Sequence, residues 1–78
     1  MKEKEFIEYI AKSIVDYPED VKLNVVEGEK TTLLELKVNP KDIGKVIGKN
    51  GSIIKALRIL LSSLDSKNGR HIALEIKE

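Results

Sequence analysis

The stretch Ile43-Gly44-Lys45-Val46-Ile47-Gly48-Lys49-Asn50-Gly51-Ser52-Ile53-Ile54 constrains this chain more than any other. Two glycines three apart, Gly48 and Gly51, interrupt an apolar run that otherwise reads as helix. A glycine inside a helix costs about 1 kcal/mol relative to alanine, and two so close together break it. The spacing therefore predicts a short helix over roughly residues 40–47 and a second from about 51 to 65, joined by a tight turn. Asn39-Pro40-Lys41-Asp42 starts the first: Asn39 caps, Pro40 suits the first helical position and Asp42 falls near the positive end of the dipole. The second carries Ile53, Ile54, Leu57, Leu60, Leu61 and Leu64 on one face. Ser66-Lys67-Asn68-Gly69 closes it, with Asn68-Gly69 the place for a left-handed turn.

The remaining segments are equally periodic. Phe6, Ile7, Ile10, Ala11, Ile14 and Val15 form one stripe of an amphipathic helix over residues 3–16. Tyr17-Pro18 ends it, since the residue before a proline is pushed out of the helical region. Val21, Leu23 and Val25 alternate with polar neighbours, as do Thr32, Leu34, Leu36 and Val38, around a turn at Glu27-Gly28-Glu29-Lys30. The two runs read as an antiparallel hairpin, with Gly28 available for a positive φ. Ile72, Leu74 and Ile76 mark a last strand over 70–77. The order helix, strand, strand, helix, helix, strand predicts an α+β two-layer sandwich with helices on one face of a three-stranded mixed sheet. The helical crossover makes the second and third strands parallel.

At 78 residues the chain is one domain over residues 1–78. A domain this small buries only about 60–65% of the surface of its unfolded chain, which leaves no room for a deep enclosed active site. The absence of cysteine excludes disulfide stapling, a thiol nucleophile and thiolate metal sites. A single histidine, His71, begins the last strand with no serine or aspartate partner near it in sequence, and no carboxylate pair has an acid–base context. The expectation is a non-enzymatic protein with no cofactor or metal. No apolar run approaches the roughly 20 residues that span a bilayer and the chain opens Met-Lys-Glu-Lys-Glu, so the expected location is cytoplasmic. Net charge is only +1, but residues 1–40 carry a net −3 and residues 41–70 a net +5. A local positive patch on a near-neutral chain steers an anionic partner to one face.

The glycine turn sits within that positive stretch. The helix that follows it points its unpartnered first amides at the loop, and such an end attracts phosphate. Lys45 and Lys49 add charge on the same edge. Val46, Ile47 and Ile54 flank the turn, some anchoring it to the core and others lining a shallow apolar groove. A phosphate clamp beside an apolar slot suits a single nucleic-acid strand. A Gly-x-x-Gly alone is weak evidence, because most are ordinary turns. Its weight comes from lying between two helices within the whole element order.

Val46-Ile47-Gly48-Lys49-Asn50-Gly51-Ser52-Ile53-Ile54 resembles the Val-Ile-Gly-x-x-Gly-x-x-Ile signature of KH domains, and the element order resembles their type II, prokaryotic arrangement. The resemblance covers nearly the whole chain, and a domain of this length is similar to the small stand-alone bacterial KhpA (YlqC) family. It implies that Gly48, Lys49, Asn50 and Gly51 clamp the backbone of about four single-stranded RNA nucleotides. It makes Ile43, Val46, Ile47 and Ile54 groove or anchor positions, and Lys45, Lys55 and Arg58 flanking cations. It further implies a dimer, with itself or with a larger Jag-type KH protein (KhpB), and an RNA chaperone linked to post-transcriptional control of cell wall and cell shape. Phe6, Tyr9 and Tyr17 lie in or just after the first helix and read as core or interface rather than as base-stacking platforms. Binding is then expected to rest on phosphate contacts and aliphatic packing. The alternatives are a protein-interaction or dimerisation subunit with incidental nucleic-acid contact, a ribosome-associated protein, or a single-stranded DNA binder.

Overall fold

The structure is a computed structural model that describes residues 2–65 and 71–77. Helix α1 (Lys2–Ile14) is followed by a 3-10 turn at Pro18–Asp20, strands β1 (Lys22–Glu27) and β2 (Thr31–Lys37), and a second 3-10 turn at Pro40–Asp42. Helix α2 (Ile43–Ile47), a third 3-10 turn at Lys49–Gly51, helix α3 (Ser52–Asp65) and strand β3 (His71–Lys77) complete it. The closing turn predicted at Asn68-Gly69 lies outside the described residues.

The sheet order is β1-β2-β3, with β2 in the middle. β1 pairs antiparallel with β2, Leu23 opposite Leu36 and Val25 opposite Leu34. β2 pairs parallel with β3, Leu34 opposite Leu74 and Leu36 opposite Ile76. The mixed sheet follows from its connections: a tight hairpin can only reverse the chain, whereas a crossover through α2 and α3 returns it in the same direction.

One face of the sheet supplies Leu23, Leu34, Leu36, Ile72 and Leu74, all buried, and Ile7, Ala11, Val46, Ile54, Leu57 and Leu61 close over them from the helices. Truncating a leucine in such a layer to alanine costs about 2–5 kcal/mol. The α3 stripe is wider than the core it serves. Ile54, Leu57 and Leu61 are buried, but Leu60 and Leu64 remain exposed beside Ile59. The hairpin turn also differs from its expectation. Gly28 does not adopt a positive φ. Its need for no side chain is one of space, since a Cβ there would stand 2.9 Å from the Thr31 carbonyl oxygen. That same carbonyl accepts the Gly28 amide at 2.8 Å.

Candidate nucleic-acid interface

The site is built outward from the start of α2. The Asn39 side chain accepts the Lys41 amide at 2.9 Å and its Nδ2 donates to Asp20 at 2.9 Å, so the entry turn is held from both sides. Asp42 is fully buried. Its carboxylate does not cap its own helix. It reaches across to the chain leaving α1, accepting the Asp16 amide at 3.1 Å and the Tyr17 amide at 3.0 Å. A buried carboxylate satisfied by backbone amides is a strong, directional tie, and it fixes where α2 begins.

Five residues of α2 then divide between two tasks. Val46 is fully buried and Ile43 packs against the core, so these two are anchors. Ile47 lies at the open end, where the helix stops. Gly48 stops it with φ 78° and ψ 171°, its amide donating to the Gly44 carbonyl at 2.9 Å. This conformation is essentially restricted to glycine, and a Cβ would lie 2.7 Å from Ile53 Cγ1 and 2.8 Å from the Ile53 amide nitrogen. Asn50 is left-handed (φ 57°, ψ 25°), as is Gly51 at φ 75°. The turn closes through Gly51 to the Gly48 carbonyl at 3.1 Å and Ser52 to the Lys49 carbonyl. Lys49 and Asn50 stand exposed at its tip, directly before α3. The turn leads directly into the positive end of the 14-residue helix α3, an end that attracts anions.

At the foot of the loop lies a groove of about 310 Å³ lined by Ile47, Ile54, Arg58, Glu75 and Ile76. Two of the four expected groove-or-anchor residues therefore line it and two do not. No aromatic residue contributes. The expected flanking cations separate as well. Lys55 is exposed on α3. Lys45 is ion-paired with the Asp16 carboxylate, which holds its ammonium charged above the usual lysine range; desolvation opposes that shift, and Asp42 and Tyr17 add to it. Arg58 donates from Nε at 3.2 Å and from Nη2 at 3.1 Å to the Leu74 carbonyl, which pins α3 to β3. Sequence reasoning placed Ile76 only as an inward residue of the last strand and did not name Glu75. The signal was present: an element order that puts the last strand beside the second crossover helix leaves its outer edge open to that helix.

Helices α2 and α3, joined by a Gly-x-x-Gly turn and laid on a sheet of this order and polarity, define a KH domain of type II. The chain belongs to the KhpA/KhpB KH-domain family, whose model matches residues 4–76. It is 53% identical to the RNA-binding protein KhpA of Borreliella burgdorferi, over 95% of this chain and 90% of that protein. To its namesake from Clostridium perfringens it is 52% identical, over 94% and 97%, and to that from Aquifex aeolicus 45%, over 96% and 95%. Among solved structures, Aquifex aeolicus Era bound to GDP·AlF4− superposes with a TM-score of 0.67 at 19% identity, over 95% of this chain and 29% of Era. Era in complex with MgGDPNP and nucleotides 1506–1542 of 16S ribosomal RNA gives 0.62 at 20% identity, over 95% and 28%. This chain spans under a third of either Era chain, and the likeness is one of fold.

Proposed function

We propose that this protein binds single-stranded RNA without catalysing a reaction, gripping the backbone of about four nucleotides at Gly48-Lys49-Asn50-Gly51 and laying the bases along the groove of Ile47, Ile54 and Ile76. The observation that carries this reading is the tip of the turn. Two glycines with positive φ bring bare backbone to the surface beside an exposed lysine, at the start of α3. The relatives named RNA-binding protein KhpA support the same reading. With no aromatic in the groove, the roughly 1–3 kcal/mol per base that stacking supplies is missing, and a single domain binds weakly.

The test is fluorescence anisotropy of a labelled single-stranded RNA. Lys49→Asp with Asn50→Asp places two negative charges at the tip without entering the core. Binding is expected to vanish while the urea midpoint stays within about 0.5 kcal/mol of wild type. For two or three phosphates held, log K falls against log salt with a slope of roughly −1.5 to −2. A double variant that binds as well as wild type would falsify the clamp.

Weak single-domain binding gives a second copy a purpose, because two linked sites multiply a weak contact. A surface for it is present on the opposite side of α3. Ile59 is 67% exposed, Leu60 44% and Leu64 38%. Leu60 and Leu64 join Phe6 around a second groove of about 330 Å³. In this reading that face takes a second KH domain, from another copy or from a KhpB-type protein. Sedimentation velocity across protein concentrations checks the first case: a species that stays at 8.8 kDa throughout rules out self-association.

A further inference from the structure

The helices close over one face of the sheet and leave the other open. Leu23, Leu34, Leu36, Ile72 and Leu74 point to the helices, so alternation sends their neighbours the other way. The pairing register sorts that outer face into rows. Asn24, Glu35 and Glu75 form one, and Lys22, Lys37 and Lys77 form the next. Like charges directly opposite one another destabilise a sheet, and here a lysine stands opposite a lysine on both sides of β2. Lys77 is compensated by Glu35 at 3.7 Å. Lys22 and Lys37 make no ion pair among the described residues. They line one open cleft of about 270 Å³ with Asp20, whose carboxylate already accepts from the Asn39 side chain. Charge summed along the chain hides this row. Residues 1–40 and 71–78 are each net negative, and the three lysines meet only through strand pairing.

The row starts where the groove beside the turn ends. Ile76 lines that groove, and Lys77 is the next residue, on an edge strand of the sheet. A single strand leaving the groove past Ile76 rounds this edge and meets Lys77, then Lys37, then Lys22. Neighbouring strands lie about 4.8 Å apart, so the row is about 10 Å long, room for roughly two further phosphates. The acidic row beside it repels a polyanion and confines it to the lysines. A phosphate between Lys22 and Lys37 also relieves the repulsion that the bare sheet carries. We infer that the lysine row on the outer face of the sheet is a second RNA-backbone contact, which takes the strand on from the groove. The inference rests on the RNA-binding reading above and goes beyond it in giving the strand a path past the clamp.

The first test uses wild-type protein, so nothing depends on a variant folding. Lysines are acetylated with and without a saturating single-stranded RNA decamer, and mass spectrometry reads each site. Lys22 and Lys37 are expected to be protected several-fold, while Lys4 and Lys12, on α1, stay reactive. The second test reads the salt dependence of decamer binding by anisotropy. Lys22→Gln with Lys37→Gln should flatten the slope by about 1.4, two contacts at about 0.7 each. It should leave the urea midpoint equal or higher, because the opposed charges are gone. Lys4→Gln with Lys12→Gln changes the net charge as much and should leave the slope as it was. Unprotected Lys22 and Lys37, or a slope that both double variants lower equally, overturns the inference and leaves the backbone clamp standing. So does protection that grows with protein concentration in the absence of RNA, which assigns the row to a second copy. If wild type does not bind the decamer, the RNA-binding reading falls and this inference with it.

Discussion

The two ends of α2 are built in opposite ways. At its start everything is tied down. Asn39 caps, Asp42 is fully buried with both carboxylate oxygens occupied, and Lys45 is held by Asp16. At its end nothing is tied down by side chains. The shape there comes from glycine backbone, and the side chains at the tip, Lys49 and Asn50, project into solvent. Five residues separate an anchor from the proposed clamp. A backbone clamp has to meet its ligand with unspent donors and unspent charge. It can leave them unspent only if its position is fixed elsewhere, and the buried Asp42 does that.

If this division is right, breaking the anchor affects folding and breaking the tip affects binding. The largest stability effect is expected for Asp42→Ala. It leaves the Asp16 and Tyr17 amides without their acceptor, and removing one partner from buried bonds to a charged group costs about 2–4 kcal/mol. Asp42→Asn retains one acceptor oxygen and should lose about half as much. Urea unfolding of the three proteins measures both. A loss under about 1 kcal/mol for the alanine variant would mean that water replaces the carboxylate and that α2 is anchored by Val46 and Ile43 alone.

Within the tip, the two glycines are not equivalent. Gly48→Ala forces a Cβ against the Ile53 backbone in a glycine-only conformation, and is expected to cost about 2–3 kcal/mol. Gly51→Ala meets nothing closer than Lys55 Cε at 3.7 Å and bears only the left-handed penalty, about 1 kcal/mol. Equal losses in urea unfolding would remove the distinction between a glycine required for packing and one required for conformation.

How far this was legible in the sequence follows from the range of each interaction. Strands and helices showed through because alternation and the 3.6-residue stripe are local. The glycine turn with its exposed lysine showed through because two glycines and a lysine lie within four residues. Asp42 looked like an ordinary residue at a helix start, since the amides that bury its carboxylate are 25 and 26 positions away. Lys45 and Lys49 looked alike for the same reason, the partner of Lys45 being 29 residues distant. Arg58 reads only as a flanking cation until β3 is placed beside α3 and the Leu74 carbonyl comes within reach. Leu60 and Leu64 belong to the stripe, but a stripe does not say how much of it the sheet covers.

The smallest effect separates those two lysines. Hydrogen bonding to Asp16, more than any other influence, keeps the Lys45 ammonium charged at pH values above the ordinary 10.5. A pKa raised on folding contributes stability that is fully present below the unfolded value and is lost as pH climbs through the folded one. The stability difference between wild type and Lys45→Met should therefore be constant from neutral pH to about pH 10 and disappear beyond it. It should also shrink in salt, because the paired side chains are 44% and 68% exposed. Urea melts at pH 7 and above pH 11, with and without added salt, measure this. A difference that persists at the alkaline end would assign the effect to the packing of the lysine stem rather than to its charge. The same variant sharpens the comparison of anchor and clamp. Lys45 already spends its charge on Asp16, whereas Lys49 stands exposed at the tip, where the proposed clamp would meet a phosphate. Lys45→Met should thus weaken RNA binding less than Lys49→Met, and the salt slope should fall by about 0.7 only for Lys49. If both lysines lower the slope equally, the Asp16 pair opens on binding and the clamp extends one helical turn further into α2.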